Sequence, residues 1–312
     1  MADGLVDLFQ VQFSTLLKMN LQQEQSKLRG KVLEAVHTGA KMASPIQFVG
    51  PTSMVTPAGR FAAKSNNSAV YTRRWIVPID KENDQLIDNF DQLKTPIDPK
   101  SQLVARVKAA CSRAYDDEII RAATATATIG ADDGHLTTES WDTTNYQVSS
   151  QFGSGSTSTG MSVAKLSEAY RILEHAHALE EDKQITLVIG SKQNDDFRKQ
   201  AQIVSSDFNR NGGVLVDATV TRFMGMDVIV SERLPTITDK DSHANCRGCL
   251  AFVKTGIYLG VWQDVKVEVL RRNELSSNPW DINTMLSIGG TRTELGRVIQ
   301  IACADSIGAD NA

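Results

Sequence analysis

Histidine, cysteine and aromatic residues are all scarce in this 312-residue chain, which has five His, four Cys and only 6% Phe, Trp and Tyr. The four cysteines, Cys111, Cys246, Cys249 and Cys303, are too few and too scattered for a secreted disulfide scaffold. The aromatics form no run that would serve as a platform for stacked bases. No apolar stretch approaches the ~20 residues needed to cross a bilayer. The opening MADGLVDLFQ carries Asp3 and Asp7 where a secretory leader would carry a basic segment. Charge of one sign is lacking too: Lys+Arg 33 against Asp+Glu 37 gives a formal net charge of -4. That balance excludes a dedicated nucleic-acid binder, which needs a basic stripe, and leaves room only for weak, non-specific contact with DNA. These absences describe a soluble chain made in a reducing cytoplasm, with no membrane partner.

Catalytic signatures are missing as well. HANCRGC brings His243, Cys246 and Cys249 together, but a structural zinc needs four ligands and this stretch offers three at most. A redox pair of the thioredoxin kind opens a helix, whereas this one precedes the strand-like LAFV. The three residues are weak metal candidates, and the expectation is small loop residues with one buried cysteine. GSGSTSTG resembles a phosphate loop in composition only, because Gly160 is followed by Met161 instead of a lysine. His175 and His177 stand two apart, on different faces of a helix, where a helical metal pair needs a separation of four. No nucleophile elbow or dinucleotide fingerprint is present. The expectation is a protein without a cofactor that is not an enzyme.

What the chain does contain is an ordered series of segments. Residues 5–37 place Leu5, Leu8, Phe9, Val11, Phe13, Leu16 and Leu17 on one face of a helix, followed by a polar glutamine-rich arm with a break near Gly30. Residues 41–80 have two strand-like flanks around a Pro/Gly/Ser/Asn centre too long for a tight turn. The outgoing flank, Ala69–Val77, ends before Pro78, which marks it as an edge strand. A two-stranded arm is marginal alone in water and needs something to lie on. Asp98 and Pro99 then start a long helix running to about residue 125, with Cys111 on its apolar face. Its Thr-rich end, ATATATIG, frays and stops at Gly130. A polar connection over 130–161 leads to a helix over 162–180, the strand ITLVIG and a helix over 191–208, with further strands at FMGMDVIVSERLP, CLAFVKTGIYLGVW, DVKVEVLRR and ELGRVIQIACAD. The tail SIGADNA is loose.

This order resembles the major capsid proteins of tailed double-stranded DNA phages, of the Hong Kong 97-type fold and nearest the podophage-like group. The segments that carry the likeness are TRRWIVPIDKENDQLIDNFDQLKTPIDPKSQLVARVKAA, FMGMDVIVSERLP, LAFVKTGIYLGVWQDVKVEVLRR and GGTRTELGRVIQIACAD. The resemblance implies an α+β fold with an N-terminal arm (1–40), an extended β-hairpin loop (41–80), a peripheral domain with a long spine helix (81–160 and 263–312) and an α/β axial domain (161–262). It also implies pentamers and hexamers of an icosahedral shell, assembled in the host cytoplasm, with a separate scaffolding protein, a portal and a decoration protein as possible partners. Arg73, Arg74 and Trp75 at the loop base, with Arg60 and Lys64 toward its tip, are then the expected inter-subunit contacts. Two alternatives remain at this point: a shell protein of an encapsulin-like nanocompartment, and a metal or redox protein using the Cys246/Cys249 pair.

Overall fold

The computed structural model describes residues 22–39, 43–50, 52–56, 59–60, 70–88, 100–130, 136–155, 157–200, 215–216, 219–276 and 278–305. The expected helix over Leu5–Leu17, the Asp98–Pro99 helix start, Lys64 and the C-terminal tail lie outside them. The packing divides the chain into two units. One comprises Met1–Ser26, Asp80–Ala114 and Gln263–Leu286; the other comprises Lys27–Ile79, Tyr115–Trp262 and Ser287–Ala312.

Residues 22–37 depart from the helix suggested by their sequence. The backbone N–H groups of Lys27 and Leu28 donate to the Asp116 carboxylate at 3.1 Å each, and Leu28 and Val32 are buried. Gly30 adopts φ 91°, a left-handed conformation that ends any helix there. Strand β1 (Leu33–Val36) follows and pairs in parallel with Tyr258–Val261.

The two flanks of the arm are β2 (Ala43–Val49) and β3 (Tyr71–Ile76), which pair antiparallel with Val49 opposite Tyr71. Gly50 N–H donates to Val70 O at 2.7 Å and continues the ladder toward the tip. Strand β4 (Ile79–Ile87) begins just after Pro78, and helix α1 (Lys100–Thr124) buries Val107, Cys111, Tyr115 and Ile119 along its apolar face. The Thr-rich run after it is a strand and not frayed helix: β5 (Ala127–Gly130) pairs with β3, and β6 (Thr137–Glu139) pairs with β5. Threonine's branched side chain suits a pleated surface, and a partner strand was waiting. Consequently β3 is an interior strand of the order β2-β3-β5-β6, not an edge. Pro78 lies beyond its last residue and removes no ladder hydrogen bond.

The core of the second unit is a larger sheet. Helix α2 (Thr143–Tyr146), capped by Asp142, leads into β7 (Gln147–Val148). Helix α3 (Val163–His175), capped by the Ser162 hydroxyl, buries Leu166, Ala169 and Leu173. Strand β8 (Ile185–Ile189) is buried at every position, as a continuous apolar run covered on both faces requires. Helix α4 (Ser191–Lys199) precedes β9 (Met226–Val230), β10 (Cys246–Val253), β11 (Ile257–Arg271), β12 (Trp280–Arg292) and β13 (Val298–Ala304). The principal strand order is β9-β8-β10-β13-β7. The β8–β9 and β13–β7 pairs are parallel, and β10 is antiparallel to both of its neighbours. Strand β13 hydrogen-bonds along its length to β10, so the two strands belong to one sheet. A second sheet has the order β1-β11-β12-β4. Among the described residues no helix is long and apolar enough to cross a membrane.

Candidate assembly site at the arm base

The run Gly289-Gly290-Thr291-Arg292 at the end of β12 gathers the base of the arm. A Cβ on Gly289 would lie 2.5 Å from Val77 O and 2.8 Å from Ile76 Cγ2, while one on Gly290 would lie 2.8 Å from Ala122 Cβ. Consecutive strand residues face opposite ways, so the two glycines let β12 touch the arm's exit on one face and α1 on the other. Glu118 on α1, buried, accepts the Gly290 N–H at 2.9 Å and pairs with Arg121 at 2.6 Å.

Arg292 is 1% exposed. Its Nη1 donates to Ala123 O at 3.2 Å and Ala125 O at 2.8 Å, and its Nη2 donates to Glu139 O at 3.4 Å. The guanidinium lies 5.0 Å from the centre of the Trp141 ring. Burial lowers its pKa to about 10, with Glu139 opposing and Arg74 reinforcing the shift. It is therefore still a cation at neutral pH.

Arg74 reaches the same place from β3. Its Nε donates to Thr293 O, and its Nη1 lies 2.8 Å from Glu139 Oε2, an ion pair outside directional hydrogen-bond geometry. The attraction there is coulombic. Thr293 is fixed in turn: its N–H donates to Gly256 O at 3.0 Å, and its hydroxyl lies 2.9 Å from Thr255 O. Glu139 therefore engages both guanidinium groups, its carboxylate pairing with Arg74 and its backbone carbonyl accepting from Arg292.

The residues expected from sequence are distributed as follows. Arg73 and Trp75 are half-buried on β3, and Trp75 Nε1 donates to Gly130 O at 3.3 Å. Arg74 is 7% exposed, with its polar contacts inside its own subunit, so its geometry is that of an anchor for the arm. Arg60 is exposed further along the arm, and Lys64 is outside the described residues. Glu139, Trp141, Arg292 and Thr293 escape sequence reasoning; the one signal was an arginine between two threonines, just after the Gly289–Gly290 pair. The arm itself exposes large apolar side chains: Val49 61%, Met54 101% and Tyr71 65%.

HANCRGC takes a different form from the loop its sequence suggests. Cys246 and Cys249 both lie within β10, three residues apart and so on opposite faces, and both are buried. Burial pushes the Cys249 thiol well above its ordinary pKa, the opposite of what a reactive thiolate needs. His243 has both ring nitrogens engaged, Nδ1 with Asp239 Oδ1 at 3.3 Å and Nε2 with Gln151 Nε2 at 2.9 Å. Among the described residues no group of three or more His, Cys, Asp or Glu could hold a metal ion.

The fold and the arm base agree with a sequence comparison in which residues 5–305 match the phage capsid protein family. This chain belongs to the phage capsid protein family. Its role is that of a major capsid protein, a structural component of the virion; the nanocompartment and metal or redox alternatives are not favoured. Its fold matches the capsid of cyanophage Pam1 at TM-score 0.70 and 11% identity, covering 97% of this chain and 99% of that one. The capsid of cyanophage P-SCSP1u matches at TM-score 0.69 and 14% identity over 98% and 96%. The capsid of Ralstonia phage GP4 matches at TM-score 0.67 and 9% identity over 97% of each chain. Identities this low carry the fold alone. No curated protein sequence matches.

Proposed function

We propose that this capsid protein assembles head-to-tail into pentamers and hexamers of an icosahedral shell around double-stranded DNA, with its arm lying across the adjacent subunit. The observation that carries the reading is the arm's exposed apolar surface, with Val49 and Tyr71 paired where β2 and β3 lead toward the tip and Met54 beyond them. Burying each of these side chains on a neighbour contributes about 1.5–3 kcal/mol. The contact recurs around each ring, because heterologous interfaces close when the rotation permits. An obligate contact of this kind should bury more than ~2,000 Å².

In this reading residues 1–40 serve as the N-terminal arm, 41–80 as the extended loop, 81–160 with 263–312 as the peripheral domain and 161–262 as the axial domain. Arg73 and Trp75 at the loop base and Arg60 and Lys64 toward its tip contact the neighbour, and Arg74 aims them. Assembly takes place in the host cytoplasm, with a separate scaffolding protein and a portal as partners and a decoration protein as a further one. Contact with the packaged DNA is weak and non-specific, since the subunit is net acidic.

The test is sedimentation and negative-stain electron microscopy of the chain carrying Met54→Asp and Tyr71→Asp, co-expressed with its scaffold. Shells should give way to folded, unassembled subunits with an unchanged circular dichroism spectrum. Shells at undiminished yield would remove the arm from the assembly interface.

A further inference from the structure

An arm that docks on a neighbour does so more tightly when its direction is set beforehand, because ordering a loose arm on contact costs conformational entropy. We propose that Glu139 is a positioning residue for assembly: its carboxylate holds the Arg74 guanidinium against Thr293 O and thereby sets the angle at which the arm leaves the body. The consequence for assembly rests on the arm-docking reading above, but the clamp itself does not.

The geometry is that of a chain of fixed points. Arg74 lies in the middle of β3, the strand that returns from the arm tip, and its two polar anchors are Thr293 O and Glu139 Oε2. Both anchors are themselves immobilised. Thr293 is tied through its backbone and hydroxyl to the turn at Thr255 and Gly256. Glu139 ends β6, and its carbonyl is gripped by Arg292, which also binds Ala123 O and Ala125 O at the C-terminal end of α1. A helix C-terminus is a favourable seat for a cation.

The charges explain why the carboxylate matters more than its single contact suggests. Arg74 and Arg292 are both buried cations, and among the described residues Glu139 is the carboxylate that ion-pairs with Arg74. If Glu139 were neutral, two like charges would face each other in a dry site, where their repulsion is strong. Arg74 has the easier escape, because it sits on the strand that leads out to the arm, whereas Arg292 is held by two carbonyls and the Trp141 face. Losing the carboxylate therefore frees the arm before it unfolds the body.

The test measures arm direction in the full-length chain. Cysteines introduced at Thr52 on the arm and Thr143 on the body, both exposed, carry nitroxide labels, while the four native cysteines are buried. The labelled chain is diluted with unlabelled chain, and the distance between labels is read by double electron–electron resonance. The parent chain should give one narrow peak, and Glu139→Gln should broaden or shift it while the melting curve stays cooperative. Glu139→Asp, which keeps the charge, should recover part of the narrow peak. A folded Glu139→Gln chain with an unchanged peak would overturn the clamp. If Glu139→Gln does not fold, the Arg74→Met/Glu139→Gln pair leaves no orphaned charge between those two positions and takes the same measurement, with a broad peak supporting the clamp and a narrow one overturning it. A broadened peak with undiminished shell yield would uphold the clamp and count against the arm-docking reading instead.

Discussion

Two cations are buried in the same unit of this protein, and they are held in different ways. Lys165 on α3 is fully buried and points its ammonium at three backbone carbonyls, Thr159 O at 2.7 Å, Gly160 O at 2.9 Å and Ala302 O at 3.1 Å. A compact ammonium with three donors meets three acceptors, and its site fastens the end of the glycine-rich connection onto β13. Arg292 uses a planar fork to join α1, β6 and an aromatic face, and the residue whose carbonyl it holds, Glu139, pairs its carboxylate with a second arginine. The first arrangement closes a loop on a rigid sheet and has one position. The second joins β3 of the arm to the body through a residue that holds one cation with its carboxylate and another with its carbonyl. The difference teaches where this fold is fixed and where it can be adjusted.

The largest effect should come from the arginine. Arg292→Leu leaves the Ala123, Ala125 and Glu139 carbonyls without their buried donor and unties α1 from β6, and it should cost about 3–5 kcal/mol in denaturant unfolding. Arg292→Lys keeps the charge but not the fork, and it should recover only part of that loss. If Arg292→Leu unfolds no more easily than the corresponding lysine variant, the contrast between the two sites disappears.

Lys165→Met should be milder, about 2–3 kcal/mol, because an unbranched methionine refills the lysine stem's place and only the carbonyls lose their donor. It should also leave the direction of the arm untouched. An arm distance that broadened in this variant would mean that the two sites are coupled.

The smallest effect concerns the other end of the same connection, where the Asp239 carboxylate accepts from Ser149 and Ser150. Burial raises the Asp239 pKa, but hydrogen bonds from the Ser150 hydroxyl and from the His243 and Ser150 N–H groups, with the His243 charge, outweigh it and hold the group at about 2 against an ordinary 3.8. A folded value below the unfolded one stabilises the protein above pH ~4, and that contribution is lost as pH falls through about 2. It should amount to about 2 kcal/mol. Asp239→Asn should flatten the stability profile between pH 4 and 2, measured by urea unfolding at each pH; a profile with the parent slope would assign the acid sensitivity to other carboxylates.

Several of these features were legible in the sequence. The 3.6-residue recurrence of Val107, Cys111 and Ile119 marked α1, and the uniformly apolar ITLVI marked a strand covered on both faces. Val, Tyr and Trp content marked the arm flanks. Other features were not legible, and each failure has the same origin. The Thr-rich run after α1 has helical neighbours on one side, and only pairing with β3, more than 50 residues away, makes it a strand. Residues 22–37 look helical in isolation, and a buried Leu28 and the Asp116 carboxylate take their backbone elsewhere. The resemblance made Arg74 an expected inter-subunit contact, and only the fold brings it to Glu139 and Thr293 of its own chain.

By itself the sequence determined what depends on local spacing: the long helix, the buried strands, the two arm flanks and the lack of any complete catalytic or metal motif. Only the tertiary structure decided what depends on partners distant in the chain: which strand lies inside a sheet, which cysteines are buried and which arginine faces a carboxylate. The physical reason is that periodicity is written in neighbouring residues, whereas a buried charge is stable only where residues remote in sequence have already closed a dry, hydrogen-bonded site around it.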